Sequence, residues 1–409
     1  MPRESGHHDL MASRSAPPSA TTSTRPGVFG GKAWRLGRVA GIEVAVDYTW
    51  VLIFMLVSVS VGARLRLAHE EWHGIATWGA GFVTSLLFFA SIVLHELGHS
   101  LVAQRVGVRV RSITLFVFGG LAALESEPRR PRDEILIAVA GPLVSVALGI
   151  AFLAGARALG NAPGFRELIG EALEWLGRIN LILAAFNVVP GFPLDGGRVL
   201  RGILWATTGS FERATAVAAA TGSVFAYGLI AAGALTAIFA GQLLGGLWLV
   251  FIGWFLLFAA RATVGQMVLE RILESVRIGD VMATVEEARV ARSETVEHLL
   301  TEAVLRRGQR TFYVVDRTGE LLGLVTLREL SQVPADERAQ RRLEEIMLDA
   351  DRLALLLPEE DGWTALRRMA ERRVNQLPVV RGGQLLGAVT RERLLAVVQT
   401  RLALADEGG

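Results

Sequence analysis

The sequence predicts an α-helical polytopic membrane domain of six transmembrane helices, followed by a soluble α/β module built as a tandem repeat. Three observations lead there. Hydrophobic residues make up 51% of the chain and charged residues only 20%, below the roughly 25% of globular proteins. The charges are unevenly spread, leaving long uncharged runs up to Ala260 and returning at Arg261. Beyond Arg277, short β-type runs alternate with helical stretches in a pattern that occurs twice. A length of 409 residues leaves room for more than one domain.

Residues 1–27 are rich in Ser, Thr, Pro and Ala and read as a disordered tail, in which His7 and His8 are solvated. The tail holds no compact apolar core beside a small-residue cleavage site, so no signal peptide is expected. The membrane domain is expected over 28–265. Its uncharged runs are Tyr48 to Ala63, Gly74 to Leu94, Ile135 to Ala156, and Ile179 to Leu194, the last preceded by the amphipathic stretch Glu171 to Arg178. Ala214 to Ala260 is too long for one crossing. It divides near Gly241-Gln242 into two spans of about 20 residues, the length a ~30 Å hydrocarbon core requires.

Basic residues near span ends set the expected orientation. Lys32, Arg35 and Arg38 precede the first span, Arg105, Arg109, Arg111, Arg129, Arg130 and Arg132 follow the second, and Arg198, Arg201 and Arg213 follow the fourth. The opposite loops hold fewer, so both termini are expected in the cytoplasm of a cell-membrane protein. A net charge of +2 implies no nucleic-acid partner.

The soluble part repeats at an offset of about 65 residues. Val281-Met282 recurs as Ile346-Met347, Tyr313-Val314-Val315 as Pro378-Val379-Val380, and Leu321 to Thr326 as Leu385 to Thr390. Each unit reads as strand, polar turn, strand, helix, over 277–335 and 342–405.

The chemistry is concentrated in His95-Glu96-Leu97-Gly98-His99, at the end of the second span. Residues four apart share a helix face, so both imidazoles reach one metal ion, and Glu96 beside them is placed to take a proton from the attacking water. Ionisable groups at membrane depth are costly and usually functional, which weighs against a pair of merely hydrogen-bonded core histidines. The chain has no cysteine, so a metal here is held by His, Asp or Glu. Gly98 leaves space for close approach by another helix or a substrate backbone.

A catalytic zinc needs a third protein ligand and an open position. His69 and His73 fall on the far side of the membrane, and Glu125, Glu127 and Glu134 fall in a charged loop expected to be solvated. Asp195 falls at the cytoplasmic end of the fourth span, at the depth of the histidines. Asp195-Gly196-Gly197 after two prolines is also a turn signal, and a turn in a membrane bundle is tolerated where it lines a cavity. Asn187, a lone amide in an apolar span, serves either an interhelical hydrogen bond or a developing oxyanion. Ser112 to Leu124 is too short to span and rich in β formers. It is either an interfacial strand or hairpin with an edge for an unwound substrate, or an ordinary interfacial loop.

These elements together resemble the site-2 protease family of intramembrane zinc metalloproteases, in the bacterial and archaeal branch with C-terminal tandem cystathionine-β-synthase-type (CBS) modules. The resemblance rests on His95-Glu96-Leu97-Gly98-His99, on Asn187 with Pro190, and on Leu194-Asp195-Gly196-Gly197. It is supported by Leu36 to Ile42, Gly119-Gly120 and Ala140-Gly141-Pro142. It implies that His95, His99 and Asp195 bind one zinc ion and that Glu96 is the general base. The substrate it implies is a transmembrane protein, such as a membrane-tethered transcription regulator or an anti-sigma factor.

The two repeats resemble CBS modules, a pair of which forms one adenine-nucleotide-binding unit, and such pairs offer a surface for homodimers. The usual nucleotide signature, Gly-x-x-Thr/Ser-x-x-Asp, is met by Gly323, Thr326 and Glu329 in the first module, and by Gly387, Thr390 and Arg393 in the second. Arg393 cannot accept ribose hydrogen bonds. The competing reading is a CBS-regulated transporter or channel without protease activity, which leaves His95, Glu96 and His99 without a role. A third is an inactive relative that binds membrane segments without cutting them.

Overall fold

The computed structural model describes residues 25–26, 32–68, 72, 74–117, 119–124, 126–160, 164–305 and 308–406. The expected tail lies outside these residues except at Arg25–Pro26, which forms the short strand β1. Contacts divide the chain into two compact units, before and after the Arg261/Ala262 junction.

The first unit begins with β2 (Lys32–Val39) and β3 (Ile42–Asp47), a hairpin turned at Ala40-Gly41. Two helices follow, α1 (Trp50–Ala68) and α2 (Gly74–Arg105), and then a second hairpin, β4 (Val110–Phe116) and β5 (Gly119–Leu124). The two hairpins and β1 form one five-stranded sheet in the order β1-β2-β3-β4-β5, in which only β3 and β4 run parallel. The segment Ser112 to Leu124 is thus a hairpin rather than a loop, and β5 is an edge strand. One sheet face packs on the helices, where Val46 and Leu115 meet Phe54, Phe89 and Ile92 in a buried cluster.

The helices α3 (Pro131–Leu159), α4 (Phe165–Asn187), α5 (Asp195–Thr208) and α6 (Phe211–Phe239), with the part of α7 (Leu243–Glu274) up to Arg261, complete the unit. Among the described residues, five helices are long and apolar enough to cross a membrane: α1, α2, α3, α6 and α7. The uncharged stretch after Ala214 breaks at Ala240 to Gln242, where the sequence signals a division. The expected fourth span differs. Its helix starts earlier, at Phe165, and ends at Asn187 rather than Leu194. At 23 residues it is long enough to cross, but Arg166, Glu167, Glu171, Glu174 and Arg178 occupy its first two-thirds, and Glu174 pairs with Arg178. Its last stretch is cut short because Val188 to Leu194 turns back on itself before α5.

In the second unit, α8 (Ile278–Val281), β6 (Arg289–Ala291), α9 (Val296–Leu299), β7 (Thr311–Val315), β8 (Leu321–Thr326), α10 (Leu327–Ser331) and β9 (Leu348–Asp349) build the first repeat and the link to the next. The second contains α11 (Gly362–Arg372), β10 (Gln376–Arg381), β11 (Gln384–Thr390) and α12 (Arg391–Asp406). The strand-turn-strand-helix reading holds in both. Each repeat has its own apolar core, around Phe312 and Val325 in the first and around Met369 and Val389 in the second. A third cluster joins them, with Tyr313, Leu321 and Leu324 packed against Val380, Leu385 and Ala388.

Candidate metal centre

α2 continues ten residues beyond His95, so the motif sits inside a continuous helix and its four-residue spacing is realised as one turn. The His95 and His99 rings lie 4.9 Å apart, nearly perpendicular, with their Nε2 atoms 3.2 Å from each other. α3 orients both rings from behind. His99 Nδ1 donates to the Ile137 carbonyl at 2.7 Å, and His95 Nδ1 lies 2.9 Å from Ser145 Oγ. A carbonyl can only accept, so the neutral His99 ring carries its proton on Nδ1 and points the Nε2 lone pair at its neighbour.

Asp195 completes the group. It is the first residue of α5, and its Oδ2 stands 3.2 Å from His95 Nε2 and 3.1 Å from His99 Nε2. The ligand atoms of His95, His99 and Asp195 converge on one point. Zinc bonds of about 2.0–2.1 Å in a tetrahedron put ligand atoms about 3.3 Å apart, close to the spacing found. The His99 Nε2 lone pair and a carboxylate oxygen face each other, and His95 Nε2 presents a lone pair to the same point when its Nδ1–H donates to Ser145, so this donor set fits zinc.

Glycine makes the room. A β-carbon at Gly141 would lie 2.6 Å from His95 Nε2 and 2.5 Å from His99 Cε1, and nearer still to His99 Nε2. Gly98 does not open onto empty space: it admits α3, whose Ala140 carbonyl would stand 3.1 Å from a β-carbon there. Gly120 of β5 faces Glu96, and a β-carbon would meet Glu96 Cγ at 2.5 Å and Oε1 at 3.3 Å. The start of β5 therefore passes directly over the Glu96 side chain, which is half-buried. The hairpin tip is tied down nearby, since Val117 N–H donates to Thr49 Oγ1 at 3.3 Å and Thr49 itself donates to Asp47.

Asp195-Gly196-Gly197 is the first turn of α5, not the loop turn its composition signals; the turn is Val188 to Leu194 just before it. The glycines are needed because that turn folds over the helix start: a β-carbon at Gly197 would stand 2.6 Å from the Gly191 carbonyl oxygen, and one at Gly196 would strike the Val188 carbonyl. Asn187, half-buried, is the last residue of α4, at the entrance to the same turn.

Two expectations about charges change. Glu134 is not solvated: it lies fully buried in the first turn of α3, bonded to Arg198 at 3.0 Å and Arg201 at 2.6 Å. Arg198 and Arg201 consequently serve an internal ion cluster and lose their value as markers of the cytoplasmic side. Glu127 is exposed and reaches Arg201 at 3.4 Å. His69, His73 and Glu125 lie outside the described residues.

In the second unit, Thr326 caps α10 in a capping box: Glu329 Oε2 accepts the Thr326 N–H at 2.9 Å and also its hydroxyl. The three-residue spacing of this pair therefore has a local helix-start role. Thr390 accepts the Arg393 N–H at 3.2 Å, and arginine cannot complete the box from its side.

Sequence reasoning did not single out Ser145, the Ile137 carbonyl or the tight placement of Gly141 and Gly120. The available signals were a hydroxyl within an apolar run and the Gly141-Pro142 pair within a span. Pro142 supplies no N–H to the turn behind it, so the Ala138 carbonyl, next to the one that His99 uses, lacks that helical partner.

Comparison with known proteins places these features. The model of peptidase family M50 matches residues 83–168 and 165–231, and the CBS-domain model matches 278–336 and 344–400. Rip3 of Mycobacterium tuberculosis is 37% identical over 337 residues, covering 82% of this chain and 84% of that protein. The sll0528 protein of Synechocystis is 33% identical over 371 residues, 90% of this chain and 96% of that one. The solved site-2 protease from Methanocaldococcus jannaschii is 31% identical, covers 57% of this chain and 95% of its own, and superposes with a TM-score of 0.41.

Proposed function

The chain belongs to peptidase family M50 and carries a CBS pair, and on that premise we propose that it is an intramembrane zinc metalloprotease acting within or next to transmembrane segments of membrane proteins. The observation that carries this reading is the convergence of three lone-pair donors from His95, His99 and Asp195 on one point beside Glu96. A CBS-regulated transporter would leave that group idle.

In this reading His95, His99 and Asp195 hold the ion, with Ser145 and the Ile137 carbonyl fixing the two rings from behind. A zinc ion bound there would supply Lewis acidity, the chemistry that polarises a carbonyl and makes water a nucleophile at neutral pH. Glu96 takes the proton from the attacking water and returns it to the departing amine. The Asn187 amide, at the entrance to the turn that leads to Asp195, donates to the developing oxyanion. Gly120 lets the β5 backbone lie against the Glu96 side chain and helps exclude bulk water from the base.

The rest of the assignment follows. α4 makes a sixth crossing, with its charged N-terminal half toward the interface and Glu174 and Arg178 paired, and both termini are cytoplasmic. The protease occupies 28–265, and the CBS modules 277–335 and 342–405. Substrates are single-pass proteins such as membrane-tethered transcription regulators or anti-sigma factors. The CBS pair binds adenine nucleotide weakly through Thr326 and Glu329, with Thr390 and Arg393 contributing a hydroxyl and a phosphate contact, and supports a homodimer.

The test is zinc content set against cleavage. His95→Ala, His99→Ala and Asp195→Ala should each lose zinc, whereas Glu96→Gln should keep zinc and lose cleavage, because a base is not a ligand. Full zinc occupancy in Asp195→Ala would remove Asp195 from the site.

A further inference from the structure

Glu134, Arg198 and Arg201 form a buried charged cluster that the proposed chemistry does not use. Glu134 Oε1 accepts from both guanidinium groups. Glu134 is fully buried, and the Arg201 side chain is 7% exposed. The Arg201 guanidinium also lies 5.1 Å from the Phe192 ring and 4.5 Å from the Phe211 ring. Charges this deep persist when they are paired, and at membrane depth they commonly serve function.

Where the cluster sits gives it a role. Glu134 is three residues before Ile137, whose carbonyl orients His99, and seven before Gly141, which lies against both imidazoles. Arg198 is three residues after Asp195, about 4.5 Å along the helix axis. The helix that orients the histidines and the helix that delivers the carboxylate are therefore joined one turn from the metal centre. They approach closely at the same level, for a β-carbon at Gly202 would stand 2.5 Å from Ile135 Cγ1. Arg201 adds a third tie, to Phe192 in the turn that leads into Asp195. Asp195 begins its helix without a side-chain cap at Leu194, so its position follows the axis of α5. That axis is set by what α5 grips.

We propose that Glu134, acting through Arg198 and Arg201, is a positioning residue that sets Asp195 against His95 and His99 and so determines metal affinity. The proposal rests on the reading of those three residues as the zinc site. Its reach is limited to placement: Glu134 touches neither metal nor substrate.

The experiment uses the full-length protein in lipid nanodiscs, stripped of metal and titrated with zinc against a chromophoric chelator, and separately with cobalt for its visible spectrum. Glu134→Gln keeps the shape and removes the charge; it should weaken zinc binding 10- to 100-fold, the usual effect of losing a group that orients ligands, and alter the cobalt band. Arg198→Lys keeps the charge but loses the Nε contact and should shift both readouts in the same direction by less. Glu134→Asp should partly restore affinity relative to Glu134→Gln. A cluster that merely staples two helices would lower the unfolding temperature and leave the metal affinity of the folded protein unchanged. The proposal is overturned if Glu134→Gln and Arg198→Lys bind zinc with wild-type affinity and an unaltered cobalt spectrum while His95→Ala loses zinc. If Glu134→Gln does not fold, Arg198→Lys decides alone. If His95→Ala keeps its zinc, the metal site itself has been misassigned and the positioning role falls with it.

Discussion

Gly141→Ala isolates the geometry of the metal centre from its ligands. The added methyl carbon would stand 2.5 Å from His99 Cε1 and 2.6 Å from His95 Nε2. Carbon contacts are comfortable at about 3.5–4.0 Å, so the rings must retreat by about 1 Å. They cannot do so freely, because His99 Nδ1 is held by Ile137 O at 2.7 Å and His95 Nδ1 lies 2.9 Å from Ser145 Oγ. Metal sites tolerate ligand displacements of about 0.2 Å, and a misplacement near 1 Å costs on the order of 100-fold. That corresponds to about 2.7 kcal/mol in zinc affinity and a similar loss in cleavage rate. The stability change is smaller than the loss of affinity. Gly141 lies inside α3 with ordinary helical geometry, where alanine is favoured over glycine by about 1 kcal/mol, and this offsets part of the roughly 1–3 kcal/mol that overpacking against the rings costs. Metal-free Gly141→Ala should therefore unfold at most a few degrees earlier than wild type while binding zinc far more weakly. Gly155→Ala is the matched control in the same helix, where the new methyl meets only Leu173 at an ordinary 3.4 Å. Chelator competition measures affinity, and thermal unfolding with and without zinc measures the rest. Wild-type zinc affinity in Gly141→Ala would refute the packing of Gly141 against both imidazoles.

Gly120→Ala should separate the base from the metal: the methyl displaces Glu96 and cuts cleavage at least ~10-fold, while zinc content stays at wild type, since no ligand is touched. Equal loss of zinc would mean that β5 also supports the ligands. Reporter fusions after Arg66 and between Gly160 and Phe165 should read outside, and those after Arg132, Arg213 and Arg277 inside; an outside signal after Arg277 would remove α4 from the count of crossings. Replacing Gly, Pro or Asn near the cut in a substrate helix with Leu should slow cleavage, because a helix hides its carbonyls in its own hydrogen bonds. An unchanged rate would place the cut in an already extended segment. Glu329→Ala should abolish weak ATP or ADP binding measured by calorimetry on the full chain, and should also remove the Glu329 half of the capping box while the Thr326 cap of α10 stays. Absence of binding in the wild type at millimolar nucleotide would make the CBS pair an assembly or docking platform.

Features written along the chain were legible without coordinates. The uncharged runs mark the helices, and the break at Gly241-Gln242 falls where α6 gives way to α7. His95 and His99 share a face because four residues make roughly one turn, and the repeat at about 65 residues returns as two strand-turn-strand-helix units. Composition misread Glu134, because a carboxylate beside Arg129, Arg130 and Arg132 looks solvated. Its partners are Arg198 and Arg201, 64 and 67 residues further on, and only the packing of α5 on α3 brings them together. The same holds for Gly141 and Gly120, whose sequence neighbours give no sign that an imidazole or a carboxylate stands against them. It holds too for the end of α4, since whether apolar residues after Asn187 continue a helix or fold over Gly196 and Gly197 depends on what lies opposite. Hydropathy and periodicity are properties of neighbours in the chain. Burial of a charge, and the space left for a ring, are properties of neighbours across helices, and those are settled only when the helices pack.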